Sequence, residues 1–118
     1  MSLDGFRKFT EVGRSFVPKI SIRANGQIGF NNGSVKRFKL LDFSHVVAYY
    51  NSEQKKIAMQ FTNDGEAEGA MKIIKNEKNY FFSGKSFLDF HTIDYNTTLS
   101  REVEWLEEEV LAIIALEE

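Results

Sequence analysis

The sequence predicts an α+β domain, mostly β, in which two ββαββ repeats close one pseudo-symmetric, barrel-like core. Three observations predict it. Residues 19–61 and 71–116 follow the same order of residue types. Apolar and polar residues alternate in short runs, as half-buried strands require. Clusters of Asn, Gly and Ser punctuate those runs.

The repeat is faint but ordered. Ile22 and Arg23 lead to Ile28 and Phe30, then to Ser34, Val35 and Phe38. Ile74 and Lys75 lead to Tyr80 and Phe82, then to Ser86, Phe87 and Phe90, at a constant offset of 52. The match resumes with Ser44, Val47 and Tyr49 against Ser100, Val103 and Trp105, offset by 56. It closes with Ile57, Met59 and Phe61 against Ala112, Ile114 and Leu116, offset by 55. The predicted organisation is one domain over 1–118, with an arm at 1–16 and repeats at about 17–62 and 69–117. Units of about 45 residues are too small to be comfortable alone, so they are expected to share a core.

The elements follow in order. Residues 4–16 carry Phe6, Phe9, Val12 and Phe16 and read as a short strand or arm. Pro18 marks a strand entry. Ile20, Ile22 and Ala24 alternate with Lys19, Ser21 and Arg23, which is period two. Asn25-Gly26 predicts a type I′ hairpin, because both residues accept positive φ. Ile28 and Phe30 alternate in the returning strand. The run Asn31-Asn32-Gly33-Ser34 offers cap oxygens to a short helix at 34–41. Strands are expected at 45–50 and 57–61, around a turn at 52–55. Residues 63–68 are the seam. In the second copy, strands at 70–74 and 80–82 flank a turn, and a helix begins near Ser86 with Asp89 at the capping-box position. The tail has two readings. Leu99, Val103, Leu106, Val110 and Ile113 have helical spacing, and the glutamates favour a helix. The repeat instead calls for a hairpin, which is the reading preferred here.

Composition narrows the classes. With 118 residues, 42% hydrophobic and eleven Phe, one core is affordable. No run of 18 apolar residues offers a spanning helix, and no apolar leader follows the N-terminus. Zero Cys removes disulfides and zinc–thiolate sites. A soluble cytoplasmic protein with no membrane partner, cofactor or metal is the expectation. The two histidines, His45 and His91, occupy non-equivalent places and lack metal-ligand spacing. No nucleophile elbow, phosphate loop or dinucleotide fingerprint occurs. The chain is therefore read as non-enzymatic.

What remains is charge. Residues 17–62 carry seven cations, Lys19, Arg23, Lys36, Arg37, Lys39, Lys55 and Lys56, against Asp42 and Glu53. Residues 69–118 carry five cations against ten carboxylates. A basic half steers polyanions by counterion release. Arg23, Lys36, Arg37 and Lys39, with Lys19 and Arg14 nearby in sequence, are the candidate nucleic-acid contacts. The alternative is a protein-interaction or assembly module, with the basic copy docking on the acidic copy of itself or of another protein.

The stretch from Ile20 to Leu40, containing Gly26-Gln27-Ile28 and then Val35, Phe38 and Leu40, resembles the AbrB/MazE-type swapped-hairpin transcription factors. The resemblance covers roughly 45 residues of the chain. It implies a DNA-binding barrel made from two interlocked units, with Arg23, Lys36 and Arg37 facing DNA. The sequence departs from the family pattern at Asn31-Asn32-Gly33, where the family has Ile-Pro, and at Leu41-Asp42-Phe43-Ser44, where it has a Gly-Asp turn. The second copy lacks Gly-Gln-Ile altogether. A whirly-like single-stranded-DNA-binding fold is the runner-up architecture and requires a helical tail.

Overall fold

Strand β1 (Lys19–Ile22) buries Ile20 and Ile22 and turns Lys19 and Ser21 outward, as its alternation predicts. The computed structural model describes residues 17–77 and 79–117, with Gly5 and Arg7 before them. The arm expected at 4–16 lies outside the described residues apart from those two. Strand β2 (Gln27–Phe30) pairs with β1, Ile22 opposite Ile28. The connection differs from the expected two-residue turn. Arg23 N donates to Gln27 O at 2.8 Å, Gly26 N donates to Arg23 O at 2.9 Å, and only Gly26 of the loop has positive φ, at 87°. That is a three-residue loop closed by a left-handed Gly. Asn25 Oδ1 instead accepts from Gln27 N at 3.0 Å.

Helix α1 (Asn32–Arg37) starts two residues earlier than the sequence suggests. Asn31 caps it, accepting from Ser34 N at 2.8 Å and also from Lys19 N at 3.0 Å. The buried Ser34 hydroxyl donates to Lys19 O at 2.7 Å, which locks the helix to β1. Lys39, at φ 54° and ψ 49°, ends the helix, and a 3-10 turn (Leu40–Asp42) follows. Strands β3 (His45–Asn51) and β4 (Lys56–Thr62) form the expected hairpin.

The second half contains β5 (Met71–Lys72), β6 (Ile74–Asn76), β7 (Asn79–Ser83) and α2 (Lys85–Phe90). It ends with β8 (Leu99–Glu102), β9 (Glu104–Leu106) and β10 (Leu111–Ala115). The tail is therefore a hairpin, and the helical reading and the whirly-like architecture that needs it are set aside. The reason is long-range pairing. β10 lies against β4, with Ile114 opposite Ile57 and Ala112 opposite Met59. All four are buried to within 1%. A helix would have buried a different stripe.

Helix α2 also departs from expectation. Its cap is Gly84, without a side-chain bond, and Asp89 does not close a capping box. Thr92 follows the helix at φ 55°, a costly conformation for an exposed β-branched residue. Thr92→Gly is expected to stabilise the fold by about 1 kcal/mol, seen as a higher urea midpoint at unchanged slope.

The strands make two five-stranded antiparallel sheets, ordered β6-β7-β2-β1-β8 and β5-β3-β4-β10-β9. The expected barrel is not closed. The chain leaves one sheet for the other at Ile73, between β5 and β6, and at Val103, between β8 and β9. Ile73 N donates to Ser44 O at 2.9 Å, and the side chain turns into the core, 3% exposed. At such corners the ladder breaks and each sheet keeps its own edges. The core combines Ile20, Ile22, Ile28, Phe30 and Phe82 of the first sheet with Val46, Ile57, Met59, Phe61, Ala112 and Ile114 of the second. Phe38, Leu40, Leu88 and Ile93 join it from the helices and the segments that follow them. Each such aliphatic or aromatic side chain contributes about 1.5–3 kcal/mol by burial.

Candidate anion-binding surface

Lys36, Arg37 and Lys39 are exposed on α1 and at its left-handed end. They stay exposed because α1 buries Gly33 and Ser34 against β1 while its end turns Phe38 and Leu40 inward. The following turn brings in a cation that the sequence did not indicate for this surface. Lys75 Nζ donates to Leu41 O at 3.3 Å. This carries β6 of the second half to the basic segment of the first. Lys72 lies opposite His45 in the β3–β5 pairing, beside a cleft of about 380 Å³ lined by Ser44, Lys72, Ile73, Ile74 and Lys75. No Asp or Glu occurs from residue 17 to residue 41. The arrangement offers ammonium and guanidinium groups to an extended anion.

Arg23 has different surroundings. Its Nη1 donates to Gln27 Oε1 at 3.1 Å and its Nη2 to Asn79 Oδ1 at 2.9 Å. The guanidinium carbon lies 5.8 Å from the Phe81 ring centroid. The group rests on Gly29, where any Cβ would collide with it. Arg23 thus spans the outer face of the first sheet and ties β2 to β7. A Gly inside a strand is the sequence signal for such a close approach.

Lys19 stands apart from the α1 cations. It pairs across β1 and β8 with Glu102 and lines a cleft with Arg101, Glu102 and Glu117. Arg14 lies outside the described residues.

A second polar cluster lies beside α2. Tyr95 Oη donates to Asp89 Oδ1 at 2.6 Å, and Lys85 Nζ donates to Asp89 Oδ2 at 3.1 Å and to Tyr95 Oη at 3.0 Å. The hydrogen bond to Tyr95, then the Asp89 carboxylate, raises the Lys85 pKa. The Tyr95 hydrogen bond, then Lys85, lowers that of Asp89. The triad fastens the segment after α2 to that helix. His91 sits among the rings of Tyr50, Phe87 and Phe90, with centroids 5.1, 4.9 and 4.9 Å away. His45 Nδ1 and Ser44 Oγ are 2.7 Å apart. Among the described residues no group of three or more His, Asp or Glu side chains could hold a metal ion. Among them, too, no helix is long and apolar enough to cross a membrane.

Comparison of the chain with protein-family models, curated proteins and solved structures finds no match.

Proposed function

We propose that the chain is a small non-enzymatic DNA-binding, regulatory protein, built from two copies of one ββαββ unit, in which Lys36, Arg37, Lys39, Lys72 and Lys75 hold the phosphate backbone. The observation that carries the reading is the Lys75–Leu41 contact, because it joins two basic segments far apart in sequence. Counterion release at such a cluster favours any polyphosphate, and the fold need supply only closely spaced cations. The resemblance of residues 20–40 to the AbrB/MazE family implies the same class of ligand. Arg23, held by Gln27 and Asn79, supports the scaffold in this reading and does not contact phosphate.

Strand registers support the duplication. Ile28 and Phe30 of β2 oppose Phe82 and Tyr80 of β7. Ile57 and Met59 of β4 oppose Ile114 and Ala112 of β10. Under offsets of 52 and 55, each set of pairs exchanges onto itself. The loops agree: Lys55 and Val110, at φ 56° and 54°, are 55 residues apart. Leu116 N donates to Lys55 O and Phe61 N to Val110 O, and these two bonds also exchange under that offset. The α1 cations have no counterpart on α2, so the first copy is the phosphate-facing one.

Titration of labelled duplex DNA at two salt concentrations tests the reading. Five phosphate contacts give a log–log salt slope of about −4.5, so affinity falls about 500-fold between 50 and 200 mM salt. The double variant Lys36→Gln, Lys39→Gln lowers the slope by about 2. Absence of any association at low salt rejects the proposal.

A further inference from the structure

The turn that joins the two basic segments carries the wrong chemistry for phosphate. Leu41 is 71% exposed, and Asp42 beside it is exposed too. Lys39 precedes them in the chain, and Lys75 reaches Leu41 O. An apolar side chain gains nothing from a phosphate, and a carboxylate is repelled by one. A surface that only neutralised the nucleic-acid backbone would carry neither there. The turn is also held firmly. Asp42 N donates to Lys39 O at 2.9 Å, and Phe43 N to Leu40 O at 3.2 Å. Asn63 Nδ2 donates to Asp42 O at 2.8 Å, and Lys75 Nζ to Leu41 O at 3.3 Å. Leu40, 0% exposed, roots the turn in the core. The two exposed side chains therefore stand on backbone whose carbonyls are both tied to other segments.

We propose that Leu41 and Asp42 read base edges in the major groove of duplex DNA, while the cations around them hold the flanking phosphates. This rests on the DNA-binding reading above. Base edges supply what phosphates do not. In the major groove, cytosine N4 and adenine N6 present amino donors to a carboxylate, and the thymine methyl presents an apolar group to a leucine. The minor groove offers an amino donor only on guanine, and no methyl. Double-stranded RNA fits worse, because its uracil has no methyl and side chains cannot enter its deep, narrow major groove. Lys75 remains free to serve a phosphate, since an ammonium has three donors and Leu41 O takes one. A turn already fixed in place loses little freedom on docking, so even two base contacts discriminate.

Selection from a random duplex library with the full chain, then titration of the enriched site and a scrambled one, tests this. The wild type is expected to enrich a short site that contains thymine beside cytosine or adenine. It should hold that site about 100-fold more tightly than the scrambled duplex, about tenfold for each contact. Asp42→Ala separates base reading from backbone binding by its sign. Taking a carboxylate from a surface that binds phosphate alone tightens every duplex. Taking away a base contact weakens the selected site about tenfold, while the scrambled duplex binds no less tightly. Replacing thymine by deoxyuridine in the selected site removes only the methyl. It is expected to weaken the wild type about fivefold and to leave Leu41→Ser unaffected. Both side chains are exposed, so the substitutions leave the core intact. Enrichment of no sequence overturns base reading and leaves phosphate binding standing. So does an Asp42→Ala variant that binds both duplexes more tightly, or a deoxyuridine penalty that Leu41→Ser retains in full. Absence of any association at low salt overturns both proposals.

Discussion

Phe38→Ala is expected to lower the unfolding free energy by about 3–5 kcal/mol, and Phe90→Ala by less than about 0.5 kcal/mol. Phe38 is 1% exposed and Phe90 is 82% exposed. The Phe38 ring stacks on Trp105 with centroids 4.5 Å apart and on Phe61 at 5.6 Å. Removing it opens a cavity between helix and sheet that relaxes only in part, and it also removes two ring–ring contacts worth about 0.5–1.5 kcal/mol each. The Phe90 ring meets only the edge of His91 among the described ring pairs. Urea unfolding of the two variants measures the difference. The sequence repeat treats Phe38 and Phe90 as equivalents, so equal losses would mean that α2 is rotated from the position described.

That rotation has a small cause. Strand β7 runs on to Ser83, and α2 starts at Lys85, whereas α1 starts at Asn32. The helices are therefore 53 residues apart, not the 52 at which Ile28 and Phe30 match Tyr80 and Phe82. One residue turns a helix by about 100°, enough to carry Phe90 from core to solvent. At that offset Phe90 falls at the place of exposed Arg37, and half-buried His91 stands at the place of Phe38. Period-two alternation made β1 to β4 legible, since each strand buries alternate residues regardless of its neighbour. Single inserted residues are invisible to it. The tail was ambiguous for a related reason. Glutamate-rich segments favour helix locally, and only pairing of β10 with β4, 51–59 residues away in sequence, decides for strand.

The charged surface was legible where a short helix concentrates it. Lys36, Arg37 and Lys39 sit on the surface because Ser34, Phe38 and Leu40 fill the interior. Alternation also turns Arg23 outward, but it cannot say whether that face is already occupied. Gly29 leaves a seat, and Gln27 and Asn79 supply acceptors, the latter from the other half of the chain. Lys75 reaches the turn after α1 through a contact 34 residues long in sequence, which no local pattern encodes. Lys19 has Glu102 as its cross-strand neighbour, which no local pattern encodes either.

Gly26→Ala is expected to cost about 2–4 kcal/mol, the sum of a left-handed backbone that a Cβ disfavours and a steric overlap. Gly26 has φ 87°, and a Cβ there would lie 2.7 Å from Lys85 Cβ and 3.1 Å from Lys85 Cα. The second of these atoms is backbone, so a rotamer change cannot relieve the overlap. Gly26 O also accepts from Gly84 N at 3.0 Å, the residue that caps α2. The first hairpin loop and the start of the second helix are thus packed without side chains between them. Gly29→Ala meets only the Arg23 guanidinium, which can swing away, so it should cost about 1 kcal/mol by losing the bonds to Gln27 and Asn79. Hydrogen exchange separates the two. In Gly26→Ala the amides of α2, Leu88 among them, should lose protection along with the loop, whereas Gly29→Ala should leave α2 unchanged. A Gly26→Ala variant within about 0.5 kcal/mol of wild type, with α2 fully protected, is incompatible with direct backbone contact between that loop and the helix.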